Sequence, residues 1–152
     1  MYAVFMTLLL SMTPILELRA AIPAGVAGGL SIWTTLIIAI IGNFLPVPVI
    51  LLFVRKVFDI MREKNEKLNR FVLRMEAKAK EKQSAIDKYE WWGLVLLVAI
   101  PLPGTGAWTG ALVAAMLDMR LQRALPAILL GIIIAGVAVS YLTYGAKVLI
   151  GA

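Results

Sequence analysis

Of the 24 charged residues in this chain, 18 lie between Arg55 and Glu90, which leaves Glu17, Arg19, Asp118, Arg120, Arg123 and Lys147 for everything else. Two nearly charge-free stretches flanking one polar segment do not make a single soluble core. With 61% hydrophobic residues in 152 and a mean hydropathy of +0.90, they read as two membrane pieces. The chain has no Cys and no His. That removes disulfides, iron–sulfur clusters, thiol catalysis, imidazole bases and the commonest metal ligand, so the reading is a non-enzyme without a cofactor. Eleven of the 15 Lys and Arg sit in the polar segment, beside apolar spans where basic residues mark the cytoplasmic face. The net charge of +6 therefore speaks for topology rather than for nucleic acid.

A helical span needs about 20 apolar residues, whereas Met1 to Thr13 makes only about 20 Å of helix before Pro14, Glu17 and Arg19 arrive. A re-entrant hairpin over 1–29 fits better. One arm descends to mid-membrane and a second returns from Pro14 to about Gly29, with Thr13 as its N-cap and Pro14 as its first helical residue. No basic residue precedes the first arm, unlike a cleaved signal peptide, so it is expected to stay on the protein and to start outside. Residues 30–54 are uncharged and long enough to cross, bent by Pro46 and Pro48. In 55–90 half the residues are charged, and Met61, Asn65, Leu68, Val72, Met75 and on to Ile86 follow a 4,3 spacing. This is an amphipathic helix on the headgroups, a helix pair folded on itself, or a coiled coil. After the interface anchors Trp91 and Trp92 the pattern recurs. A short apolar run meets Pro101-Leu-Pro103-Gly104-Thr105-Gly106, a return arm ends at Leu117 (hairpin 91–117), and a span covers 124–146.

Placing Pro14 on Pro103 also places Gly42 on Gly131. Each half then has one hairpin, which makes no net crossing, and one span, so the halves lie in opposite orientations. The predicted fold is an all-α integral membrane protein with an inverted-topology repeat. The first repeat is 1–54, the charged cytoplasmic helical segment is 55–90, and the second repeat is 91–152. Both termini lie outside the cell membrane, and the long segment shares the cytoplasm with the Asp118–Arg123 corner. Two hairpins and two spans make a thin wall around any path, which points to a homodimer.

The two return arms would aim their N-terminal N–H groups and partial positive charge at mid-membrane, where they make an anion site. Arg19 adds a full charge, and Thr13, Pro14, Gly104, Thr105, Gly106 and Thr109 line the breaks. The natural guest is the phosphate or carboxylate head of a membrane lipid. Glu17 and Arg19 are two apart, about 200° around a helix, so they would not face each other. Glu17 is the candidate for carrying a proton in a chain without His; alternatively the pair neutralise each other at an unwound tip. Gly25-x-x-x-Gly29 and Gly106-x-x-x-Gly110 read as helix-packing contacts or ligand contacts. Asn43 reads as an interhelical hydrogen bond or a lining residue. Asp118, Arg120 and Arg123 form a topology-fixing corner, or a gate or headgroup contact.

Glu17-Leu-Arg19-Ala-Ala-Ile-Pro23, followed by Pro101-Leu-Pro103-Gly-Thr-Gly-Ala-Trp108-Thr-Gly110-Ala, resembles the small multidrug export protein family. That family looks like a distant relation of the DedA or SNARE-associated (VTT) membrane proteins. Their fold has two opposed re-entrant hairpins, and members are implicated in moving lipids, including undecaprenyl phosphate, across bilayers. The kinship implies that Glu17 and Arg19 correspond to the acidic and basic residues of the DedA hairpins, and that the chain moves an anionic lipid or amphiphile, with protons as a coupling ion. The family's name implies an alternative, exchange of a cationic drug for protons as in the four-span small multidrug resistance proteins. A third reading is a non-transporting scaffold that recruits a partner through 57–88.

Overall fold

The structure of the protein, a computed structural model, describes residues 1–83, 89–102 and 104–151. Pro103 and Ile86, used above for the repeat and for the heptad spacing, lie outside the described residues. The regular elements among them are all helices: α1 (Tyr2–Met12), α2 (Glu17–Ala27), α3 (Ile32–Phe44), α4 (Val47–Lys64), α5 (Glu66–Gln83), α6 (Glu90–Ala99), α7 (Ala107–Met116) and α8 (Leu121–Ile150).

The first arm ends where expected. Thr13 is extended (φ −76°, ψ 143°), as a residue preceding proline must be, and α1 stops there. The return arm does not start at Pro14, however. Thr13 closes α1 instead of opening α2: its hydroxyl donates to the Leu10 carbonyl at 2.7 Å, and α2 begins at Glu17. Restriction of Thr13 by Pro14 ends the first helix more strongly than Thr-Pro starts the next.

The uncharged stretch 30–54 is not one helix either. Ser31 caps α3 by accepting from the Thr34 N–H at 3.1 Å, but Pro46 and Pro48 interrupt the backbone ladder after Phe44. The chain restarts as α4, which runs through Arg55 to Lys64 without pausing at the charge boundary. Asn65 then turns the chain, and its side chain accepts from the Lys67 N–H at 3.1 Å at the start of α5. Val72 is fully buried and Arg62 pairs with Glu76, so α5 folds back on α4: among the described residues the polar segment is a helix pair.

In the first half α1 and α2 pack on each other and on α3; in the second, α6 and α7 pack on α8. The halves are joined by α3 and α2 against α8 and by α7 against α4. The core is built largely of small residues, Ala21, Ala39, Ala107, Ala111, Ala114, Ala124 and Ala127 among them, which let backbones approach closely as helices in lipid require. Gly42 abuts Ser11 and Leu8 of α1, and Gly131 abuts Val98 and Val95 of α6; a Cβ at Gly131 would lie 2.6 Å from that of Val98. Both long helices thus cross their neighbouring arm at a glycine. Ile32–Lys64, taken across its bend, and Leu121–Ile150 are long and apolar enough to cross a membrane. Large apolar side chains point outward from both, among them Trp33, Ile37, Phe53, Val137 and Leu142.

Candidate functional site

The two breaks meet. At the first, Glu17 enters α2 with a left-handed backbone (φ +47°), which turns its side chain away from its own helix. At the second, the chain leaves α6 at Ala99, passes Ile100 to Thr105 and starts α7 through Gly106 (φ +121°). The Glu17 carboxylate, 3% exposed, sits on the α7 N-terminus. It accepts from the Ala107 N–H at 3.4 Å and from the Trp108 N–H at 3.2 Å. A Cβ at Gly106 would overlap that carboxylate, so glycine is required there both for its backbone and for the approach of Glu17.

Arg19 reaches the other side of the same break. Its guanidinium donates to the carbonyls of Leu102, of Thr105 (2.8 Å) and, more weakly, of Ile100 (3.4 Å), and to Thr105 Oγ1 at 2.9 Å. Thr105 Oγ1 in turn lies 2.6 Å from the Ile100 carbonyl and 2.7 Å from that of Leu102, between which it shares its proton. The capping is reciprocal: the Trp108 indole N–H donates to the Met12 carbonyl at 3.1 Å and so closes the end of α1. Orphan N–H and C=O groups at a helix break cost several kcal/mol each in hydrocarbon. Here each half supplies side chains for the other's broken ends. Glu17 and Arg19 make no ion pair with one another, consistent with their spacing; they divide between the N–H and the C=O side of the opposing break.

Arg19, Thr105, Gly106 and Glu17 are therefore brought together. Gly104 (φ +81°) lies in the same loop with nothing near its Cβ position, Thr109 is half-buried a turn into α7, and Thr13 and Pro14 belong to the turn before Glu17. Asp118, Arg120 and Arg123 are elsewhere, about 15 Å away along the ten residues of α7. There Arg55 donates to the Met119 carbonyl beside Asp118, and the Trp91 indole donates to the Arg123 carbonyl at 3.0 Å. A cavity of about 210 Å³ lies between Glu90, Leu117 to Arg120, and Arg123. Gly25 and Gly110 make the helix contacts expected of them, against Thr35 and Thr7 and against Val98 respectively. Gly29 and Gly106 do not: each has a positive φ and serves a turn.

Sequence reasoning missed Trp108 as a cap, and it read Asn43 as an interhelical hydrogen bond or a lining residue without identifying Glu17 as its partner. Asn43, 1% exposed on α3, faces the Glu17 carboxylate with its amide. No group of three or more Asp and Glu side chains that could hold a metal ion occurs among the described residues.

No curated protein and no solved structure matches the chain. A protein family does, and its match runs over residues 17–138, from Glu17 itself to Ala138 within α8, taking in Glu17, Arg19 and the second break. The chain belongs to that family, described as "Putative small multi-drug export protein".

Proposed function

We propose that the chain is a membrane transporter in which two re-entrant hairpins meet tip to tip, and that it moves an amphiphile with a phosphate or carboxylate head. The observation that carries this reading is the Glu17 carboxylate seated on the α7 N-terminus beside Arg19. A place that already holds a carboxylate on two backbone N–H groups at the positive end of a helix is suited to an anion. An incoming anionic head takes the place of Glu17 there, and protonation of Glu17 frees the place for it. Undecaprenyl phosphate, to which kinship with DedA proteins points, has such a head.

An inverted repeat underlies this reading, and the backbone supports it. Gly42 and Gly131 are 89 residues apart, and the same interval relates the positive-φ residues Glu17 and Gly106, and Gly29 and Asp118. It also relates the caps Ser31 and Arg120, and the bonds Leu30 N–H to Gly25 C=O and Met119 N–H to Ala114 C=O, both 3.0 Å. In the proposed arrangement both termini lie outside, 55–90 and the Asp118–Arg123 corner lie in the cytoplasm, and two copies pair to thicken the wall. Since the chain has no Cys, single cysteines report position. An impermeant thiol reagent outside intact cells is expected to label Tyr2→Cys and Gly151→Cys and to miss Asn65→Cys and Gln122→Cys; labelling at Gln122 would overturn the inverted arrangement.

Exchange of a cationic drug for protons is the second reading, favoured by Glu17 being the one buried acidic side chain among the described residues. Against it, that carboxylate already holds two N–H groups and has Arg19 as its charged neighbour. Proton coupling has its own test. Glu17→Gln in proteoliposomes is expected to abolish the dependence of flux on a pH gradient while sparing substrate binding. Loss of binding with flux would make Glu17 a structural cap only, and an unchanged pH dependence would place the coupling elsewhere.

A further inference from the structure

Asn43 is the polar side chain of α3 beside Glu17. It lies in the last turn of α3, next to Gly42, whose contact with Ser11 sets this part of α3 against the end of α1 and hence beside the first hairpin tip. The side chain is 1% exposed, and its Oδ1 is inaccessible to water and has no hydrogen-bond donor. A buried acceptor without a donor costs about 1–3 kcal/mol, and such atoms are few in folded proteins. The other arm of the same amide faces the Glu17 carboxylate.

The Glu17 neighbourhood is built from donors. The Ala107 and Trp108 N–H groups, the Asn43 amide and the Arg19 charge all favour an oxygen that accepts. Among the described residues Arg19 is the one charged group acting on it: α1, α3 and α7 have no Asp, Glu, Lys or Arg, and those of α8, Arg123 and Lys147, lie near its two ends. When Glu17 takes a proton, a new O–H bond forms and needs an acceptor. The backbone N–H groups supply none. Asn43 Oδ1 does, because rotation of the amide by half a turn about its last torsion exchanges its NH₂ for its oxygen.

We infer that Asn43 is the positioning residue that lets Glu17 exist in both protonation states: its NH₂ faces the carboxylate, and its vacant Oδ1 turns to receive the O–H of the acid. The proton comes from water on one side of the membrane and returns to water when Glu17 is ionised again; no bond to Asn43 is made or broken. This rests on the reading that Glu17 is protonated during transport and adds the group that makes the neutral acid tolerable in a dry site.

The test is pH-difference infrared spectroscopy on the whole protein reconstituted in lipid. A carboxylic-acid carbonyl band that disappears in Glu17→Gln reports the protonated Glu17. In Asn43→Leu, which keeps the volume and removes both arms, that band is expected to change frequency and its pH midpoint to move by about one unit. Asn43→Ser, which keeps a hydroxyl and serves if the Leu variant does not fold, is expected to shift both in the same sense and less. A Glu17 band that keeps its frequency and midpoint in the folded variants would overturn the role of Asn43 and leave the proton-coupling reading standing. No Glu17 band at any pH would overturn both.

Discussion

Gly106→Ala is expected to break the junction between the two hairpins, and to lower thermal stability far more than one added methyl group ordinarily does. Two effects act together. The residue has φ +121°, and holding an L side chain in such a conformation costs about 1–3 kcal/mol. The new Cβ also falls on the Glu17 carboxylate, which must withdraw and leave the α7 N-terminus uncapped at about 1–2 kcal/mol more. Gly104→Ala separates the two effects, since Gly104 also has a positive φ (+81°) but nothing within 4 Å of its Cβ position. Thermal unfolding in detergent, followed by size exclusion, should place Gly106→Ala well below Gly104→Ala. Equal losses would mean that Glu17 contributes nothing where it is seated.

Arg19→Ala is expected to lower flux about tenfold or more, the size of effect that follows from about 1.4 kcal/mol of lost interaction. Arg19 supplies donors to three backbone carbonyls and one hydroxyl across the break. Arg19→Lys should recover only part of the activity, since a single ammonium does not span the carbonyls of Leu102 and Thr105 as a planar fork does. Arg123→Ala, in the first turn of α8 with its charge exposed, should stay within about twofold of the parent protein. Equal losses at Arg19 and Arg123 would point to bulk surface charge rather than to a site.

The architecture was legible in the sequence wherever a local rule dominates. Charge distribution separates the polar segment, apolar run length identifies the arms as too short to cross, and Pro14 and the Pro101–Gly106 cluster announce the breaks. Gly42 and Gly131, aligned from sequence, each pack against a short helix of their own half, α1 and α6 respectively. Local rules failed where two of them competed. Thr13-Pro14 satisfies the pattern for a helix start, yet proline's restriction of its predecessor prevailed and α2 began three residues later, at a Glu in a left-handed conformation that no propensity scale anticipates. Helix α4 ignored the charge boundary at Arg55 because solvent exposure does not end a helix lacking Gly or Pro. Long-range complementarity was not legible. Composition identified Glu17 and Arg19 as out of place in an apolar arm, but not that one caps the N–H side and the other the C=O side of a break over 80 residues away. The pairing of Trp108 with Met12 carries no sequence signal beyond an indole beside a glycine-rich break.

A site built from one acid, one base and a helix N-terminus admits two substrates of opposite charge, and the sign is what the account stakes itself on. The direct measurement is flux through the wild-type protein in liposomes, comparing a fluorescent amphiphile with a phosphate head and its counterpart with a quaternary-ammonium head on the same acyl chain. The phosphate-headed probe is expected to move faster than in protein-free liposomes, to lose that advantage in Arg19→Ala, and to be unaffected by an excess of the cationic probe. Transport of the cationic probe alone, driven by a proton gradient and abolished in Glu17→Gln, would contradict the account and establish cation–proton exchange in its place.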